Sequence, residues 1–269
     1  MLKTGLAHEI GHICTLDQFI ERQLQRIWDE RLRDPLAFVP HDLREKVTPA
    51  EAERNNIECG GRAADYLKGT IRRTQVIRGS VLAYVGPGKC HDSQILAAAV
   101  DAGLKVHCLD VSRYACELAE ESFRAQSVKI GLSPEVARTK YKVDRSEIQG
   151  ALAETGKIGL DLDTVQIWYF SRVIGCLRPD SAKLVLRFLG WVSLSSIVDP
   201  DRKKSIVIIN TLRDHNQGLQ GCTTTLWRKK EMLFELEEGA GRPIMVSREE
   251  RWPYYNQTVL AMTIKASQY

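Results

Sequence analysis

Leu16, Phe19, Ile20, Leu24, Ile27, Trp28 and Leu32 recur at spacings of three and four, the period of one helix face. Thr15 and Gln18 stand at capping-box spacing before this run, and Asp34-Pro35 closes it. Thr48-Pro49 with Glu51 marks a second helix start, for which Gly60-Gly61 is the expected stop. A third helix is expected over 62–77, with Gly79 just past it. Beyond Gly79 the pattern changes to short apolar runs alternating with helical ones. Residues 81–85 form a first strand that runs into Gly86-Pro87-Gly88, and 93–102 a helix ended by Gly103. A second strand over 104–109 finishes on Asp110, a helix follows over 114–126, and a third strand over 140–143 leads to Asp144. Strand four is expected over 164–170, a helix over 182–195 and strand five over 205–209, ending near Asn210. Residues 230–236 and 258–266 read as two more strands with no obvious helix between them, able to pair antiparallel at one edge.

This order predicts an α/β fold: a Rossmann-like, seven-stranded, mostly parallel and doubly wound sheet with helices on both faces. The change of period divides the chain into an N-terminal helical region, 1–79, and a sheet domain, 80–269. The 269 residues are 43% hydrophobic and 27% charged, which excludes a disordered, collagen-like or fibrous chain. No apolar run approaches the roughly 18 residues of a membrane span. The first 17 residues lack the apolar core and cleavage site of a secretory signal, so a cytoplasmic protein is expected. Thirty-eight Lys and Arg against 34 Asp and Glu give +4, mild for a nucleic-acid binder. The basic clusters Arg72-Arg73 and Arg202-Lys203-Lys204 are short and have no interleaved aromatic residues. Seven cysteines, an odd number without a CxxC pair, argue against a disulfide framework or a structural zinc site.

The strand that enters Gly86-Pro87-Gly88 can bring backbone close to a ligand, because glycine has no Cβ to obstruct it. Asp110 follows Gly88 by 22 residues and ends the next strand, where a carboxylate can accept both hydroxyls of a ribose. A nicotinamide-dinucleotide fingerprint would need glycine at His91, and its first strand would not follow almost 80 residues of helix.

These segments, 81–88, 106–110 and Val143-Asp144, resemble the class I S-adenosyl-L-methionine (SAM) methyltransferase fold over about residues 80–269. The resemblance implies SAM as cosubstrate, with Tyr84, Gly86, Pro87 and Gly88 along its methionine part. It places Asp110 and Val111 at the ribose, and Asp144 and Arg145 at the adenine. It implies that the N-terminal helices form a lid over the carboxyl edge of the sheet. It also puts acceptor-side residues at the end of strand four, Tyr169-Phe170-Ser171-Arg172. The family's usual third glycine is Cys90 here, and its leading acid is replaced by Ala83 or Tyr84. A fainter resemblance is to nicotianamine synthases and their bacterial relatives. There too a helical N-terminal region precedes such a domain, the third glycine is dispensable, and a hydroxyl residue stands where Ser93 does. That likeness implies use of SAM's aminobutyryl group, by transfer or by closure to azetidine-2-carboxylate with release of methylthioadenosine.

His8-Glu9-Ile10-Gly11-His12 matches HExxH, but Gly11 weakens the helix it needs, the longer zinc-protease motif does not continue, and only seven residues precede it. No metal is expected. His8 and His12 instead belong to the expected lid, where His12 could orient a substrate or accept a proton. Tyr84, Tyr169, Trp252, Tyr254 and Tyr255 are candidates to face a sulfonium through their rings. Tyr169, Ser171, Asn210 and His12 are the candidate catalytic residues, with His8 and His215 as further proton acceptors. The expected partner is a small molecule, methylated at an acceptor the residues do not name, with no nucleic acid or membrane involved. A homodimer is compatible with this reading.

Overall fold

A computed structural model of the protein describes residues 16–39, 41–145, 160–177, 179–198, 206–213, 229–255 and 257–266. His8, His12, Thr15 and His215 lie outside them. Helix α1 (Leu16–Arg33) ends before Asp34-Pro35, as the sequence predicts, because a residue preceding proline is disfavoured in helical conformation. Helix α2 (Pro49–Arg72) starts at a complete capping box. The Thr48 hydroxyl accepts the Glu51 N–H at 3.3 Å, and the Glu51 carboxylate accepts the Thr48 N–H at 2.8 Å.

Gly60-Gly61 does not stop α2, and the two helices expected over 49–77 are one. A Cβ on Gly60 would lie 2.6 Å from the backbone carbonyl of His91, whereas one on Gly61 would meet nothing within 4 Å. Gly60 is therefore a contact point between α2 and the glycine loop rather than a terminator.

Then come β1 (Val81–Val85), α3 (Ile95–Asp101), β2 (Lys105–Asp110), α4 (Arg113–Lys129), α5 (Pro134–Arg138), β3 (Tyr141–Arg145), β4 (Val165–Ser171), α6 (Pro179–Val198) and β5 (Ile206–Arg213). The chain finishes with α7 (Lys229–Ala240), β6 (Ile244–Tyr254) and β7 (Gln257–Ala266). The described strands form one seven-stranded sheet in the order β3-β2-β1-β4-β5-β7-β6. β1 to β5 are parallel, while β7 runs antiparallel to both β5 and β6. The α/β class agrees with the sequence reading; an antiparallel edge pair is present too, but 244–254 rather than 230–236 is the partner of the last strand.

The sixth strand was placed wrongly by that reading. Residues 230–236 belong to α7, where Met232, Leu236 and Ala240 repeat every four residues and are buried. The true β6 carries Arg248, Glu249, Glu250 and Arg251, whose charges pair along an exposed edge and hide the strand pattern.

Alternation along the central strands sets two core layers. Leu82, Tyr84, Val106, Cys108, Ile167 and Tyr169 pack with Cys59, Ala63 and Leu67 of α2 and with α3. Ala83, Val85, Leu109, Trp168, Phe170 and Ile209 pack with α6 and α7 on the other face. Helix α2 thus shares one core with the sheet. No helix among the described residues is long and apolar enough to cross a membrane.

The two adjacent glycines make a matched test. Gly61→Ala is expected to raise stability by up to about 1 kcal/mol, the helix-propensity gain. Gly60→Ala is expected to lower it by ~1–3 kcal/mol, because the added methyl meets backbone and forces α2 off the loop. Urea unfolding of both variants checks the opposite signs.

Candidate active site at the carboxyl edge of the sheet

The loop after β1 alternates into the left-handed region at Gly86 (φ 71°), Gly88 (φ 54°) and Cys90 (φ 53°). Cys90 takes that conformation without being glycine, at a strain of roughly 1–2 kcal/mol. The two glycines differ in purpose. A Cβ on Gly86 would stand 1.8 Å from Cγ2 of Val173, so that space is taken by packing against the segment after β4. Beside Gly88 the nearest atom to such a Cβ is Cδ2 of Leu32, 3.8 Å away, an ordinary contact with no clash.

Asp110 ends β2 next to this glycine. Its Oδ1 accepts the Ser112 N–H at 2.9 Å, and its Oδ2 accepts only a long bond, 3.4 Å, from the Gly88 N–H. Burial pushes its pKa up to about 6, against the backbone N–H groups that favour the charge; Asp29 nearby adds to the rise. Asp29 belongs to α1 and accepts the Ser112 hydroxyl at 2.6 Å and the Tyr114 N–H at 3.1 Å. The Gln25 amide donates to the Val111 carbonyl at 3.4 Å, and Arg33 lies over the Tyr114 ring. Helix α1 is thereby fixed over the start of α4, beside Asp110.

A second carboxylate organises the loop itself. Asp92 is 3% exposed and accepts three hydroxyls: Tyr84 at Oδ1, and Tyr169 (2.9 Å) and Ser171 (3.4 Å) at Oδ2. Burial raises its pKa, and the two tyrosine hydroxyls work against that rise. Tyr84 and Tyr169 sit at matching register positions on β1 and β4, with ring centroids 5.1 Å apart. Parallel strands in register therefore aim two phenols at one acid in the loop.

Arg172 follows Ser171 at φ 60°. Its guanidinium lies over Phe38 (5.7 Å) and Tyr254 (6.0 Å), and its Nη1 is buried without a hydrogen-bond partner. The Tyr254 hydroxyl donates to Oδ1 of Asn56 at 2.5 Å, while Nδ2 of Asn56 is buried and unpartnered. His91, in the loop, is held down to about 4 by burial and by the charges of Arg172 and Lys89, so it is neutral at pH 7.

The structure brings Tyr84, Tyr169 and Ser171 together on Asp92, and Gly88 together with Asp110. Pro87 is buried in the loop, where its carbonyl accepts the Cys90 N–H at 2.8 Å. Asp144 lies beside this group on β3, but its Oδ2 already accepts from His107 (2.5 Å) and Lys142 (2.6 Å). Arg145 is opposite Asp110 in register. Asn210 sits on β5 next to Ser171 of β4. Trp252 is buried and donates its indole N–H to Cys59. Asp29, His91, Asp92 and Asn56 were not picked out by the sequence reading. Only Asp92 left a signal there: an acid just after a glycine turn whose flanking strands both carry tyrosine.

Tyr169→Phe removes one of Asp92's two close donors and leaves only the long Ser171 contact on Oδ2. A loss of about 1–3 kcal/mol in unfolding free energy is expected, measured by urea titration at pH 7.

No family model and no curated protein matches the chain. Solved structures do. A geranyl diphosphate C-methyltransferase from Streptomyces coelicolor A3(2), solved with Mg2+, geranyl diphosphate and S-adenosyl-L-homocysteine, is 12% identical with a TM-score of 0.53; the match covers 92% of this chain and 98% of that one. A SAM-dependent methyltransferase from Aquifex aeolicus is 18% identical over 74% of this chain and 88% of its own, with a TM-score of 0.45. An arsenic(III) S-adenosylmethionine methyltransferase from Chlamydomonas reinhardtii is 13% identical over 75% and 72%, with a TM-score of 0.48. Strand order, the antiparallel seventh strand and the likeness to the Streptomyces enzyme together give this chain the class I SAM-dependent methyltransferase fold.

Proposed function

We propose that the protein binds SAM at the carboxyl edge of its sheet and transfers the methyl group to a small molecule in the cytoplasm. The observation that carries this reading is Asp110: a half-buried carboxylate at the end of β2 whose Oδ2 accepts the Gly88 N–H at 3.4 Å, with Leu32 of the cover in contact distance of that glycine. Two vicinal hydroxyls are the donors such a carboxylate lacks. Gly88 leaves room for backbone-close approach, and Asp144 and Arg145 border the adenine side.

SAM, when bound, supplies a methyl group already activated on a sulfonium. The protein's work is then to hold the acceptor in line and keep water out. Helix α1 and the segment to Val39 do the covering. Leu32 stands over Gly88, and Lys89 donates to the Asp34 carbonyl at 3.4 Å, tying the loop to the cover. An enclosed site suits a small acceptor better than a polymer. Tyr169 and Ser171 act through Asp92 as positioning residues; Asn210, one strand over, and His12 are the acceptor-side candidates.

Two measurements test this. Purified protein incubated with SAM alone should leave it intact, and an added acceptor should yield S-adenosylhomocysteine by mass spectrometry. Methylthioadenosine with a new amino acid would replace methyl transfer by aminobutyryl chemistry. The second test is pH. Asp110 is ionised above about 6 and protonated below it, and the ionised form is the better double acceptor. SAM affinity should be level near pH 7–8 and fall by up to about tenfold per unit below 6. Asp110→Asn should weaken binding roughly ten- to a hundredfold at pH 7.5 and flatten the profile. Unchanged affinity would remove the ribose assignment.

A further inference from the structure

Arg172 carries a buried N–H donor that no described group accepts. Among the described residues no carboxylate forms an ion pair with it; Asp92 favours its charge at longer range, with both oxygens already accepting from the hydroxyls of Tyr84, Tyr169 and Ser171. A buried guanidinium nitrogen left without an acceptor forfeits water without replacement, at a penalty of about 1–3 kcal/mol or more. The backbone there is held at φ 60°, a conformation rare for a long side chain, and conformations of this kind persist where the surroundings over-determine them. Those surroundings are Phe38 and Tyr254, stacked on the guanidinium, with His91 close enough for its own charge to be suppressed. The other unpartnered buried side-chain nitrogens nearby are Nδ2 of Asn56, a donor, and Nε2 of His91. The enclosure therefore holds buried N–H groups, on Arg172 and Asn56, that have no acceptor.

We infer that Arg172 is the receptor for a carboxylate of the bound ligand. A planar guanidinium takes a carboxylate through paired N–H donors, and the carboxylate oxygens supply the acceptor that Nη1 lacks. Resting on the SAM reading, the carboxylate has two sources: the methionine end of SAM, since His91 and Asp92 belong to the glycine loop, or an acidic acceptor, since Arg172 extends β4.

Calorimetric titration separates these cases. In one arm, SAM and decarboxylated SAM are titrated into wild-type protein, Arg172→Gln and Arg172→Lys. If SAM's carboxylate is the ligand, wild type prefers SAM by about ten- to a hundredfold, and Arg172→Gln loses that preference while binding decarboxylated SAM as before. In the other arm, benzoate and its uncharged counterpart benzamide are titrated into the same proteins, with and without saturating S-adenosylhomocysteine. If an acceptor acid is the ligand, benzoate binds wild type at least about tenfold more tightly than benzamide, and Arg172→Gln abolishes the difference. Arg172→Lys keeps the charge but not the fork and should fall between. The comparisons between ligands on wild-type protein need no variant, so a misfolded Arg172→Gln does not spoil them. If the carboxyl group makes no difference in either arm, or Arg172→Gln retains the difference, the assignment is overturned. If wild type does not bind SAM at all, the cosubstrate reading fails separately, and the benzoate arm alone decides Arg172.

Discussion

The arrangement of the carboxyl edge depends on one buried ion. An isolated carboxylate removed from water would be untenable, at several kcal/mol, unless donors replaced its hydration. Asp92 has three, all hydroxyls, delivered by β1 and β4. Because the donors sit at fixed positions on adjacent parallel strands, satisfying Asp92 also places the loop that carries it. The loop so placed turns left-handed at 86, 88 and 90. Cys90, where glycine would be free of strain, is buried, with its N–H on the Pro87 carbonyl.

Anchoring the loop from below leaves its upper side for a ligand and for the cover. The cover is attached at polar points rather than by apolar burial alone. Asp29 caps the Ser112–Tyr114 turn, Gln25 reaches the Val111 carbonyl, and Asp34 accepts from Lys89. Contacts of this kind, each worth about 0.5–1.5 kcal/mol net, hold a helix in place while allowing it to be displaced as a unit. A cover that must admit and release a small molecule suits such fastening. Helix α2 is different: it is sealed into the sheet's core through Cys59, Ala63 and Leu67, and the close approach at Gly60 couples it to the loop.

The α/β class, the positions of the first five strands, the glycine loop and the acid ending β2 were legible in the chain because each rests on local physics. Apolar periodicity reports which face of an element is buried, proline and capping residues report where helices begin and end, and glycine reports close backbone approach. The same local rules misplaced β6, because a solvated edge strand needs no apolar alternation, and misread Gly60, because a glycine in a helix signals a stop unless a neighbour from elsewhere requires the missing methyl. Tertiary structure alone decided that Tyr84, Tyr169 and Ser171 share one acid 8 to 79 residues away, that Val173 fills the space beside Gly86, and that Asp29 guards Asp110 across more than 80 residues. It also left Arg172 with a buried, unanswered donor. These relations depend on strand register and on which faces meet, quantities set by closure of the whole sheet, and no periodicity within a single segment encodes them.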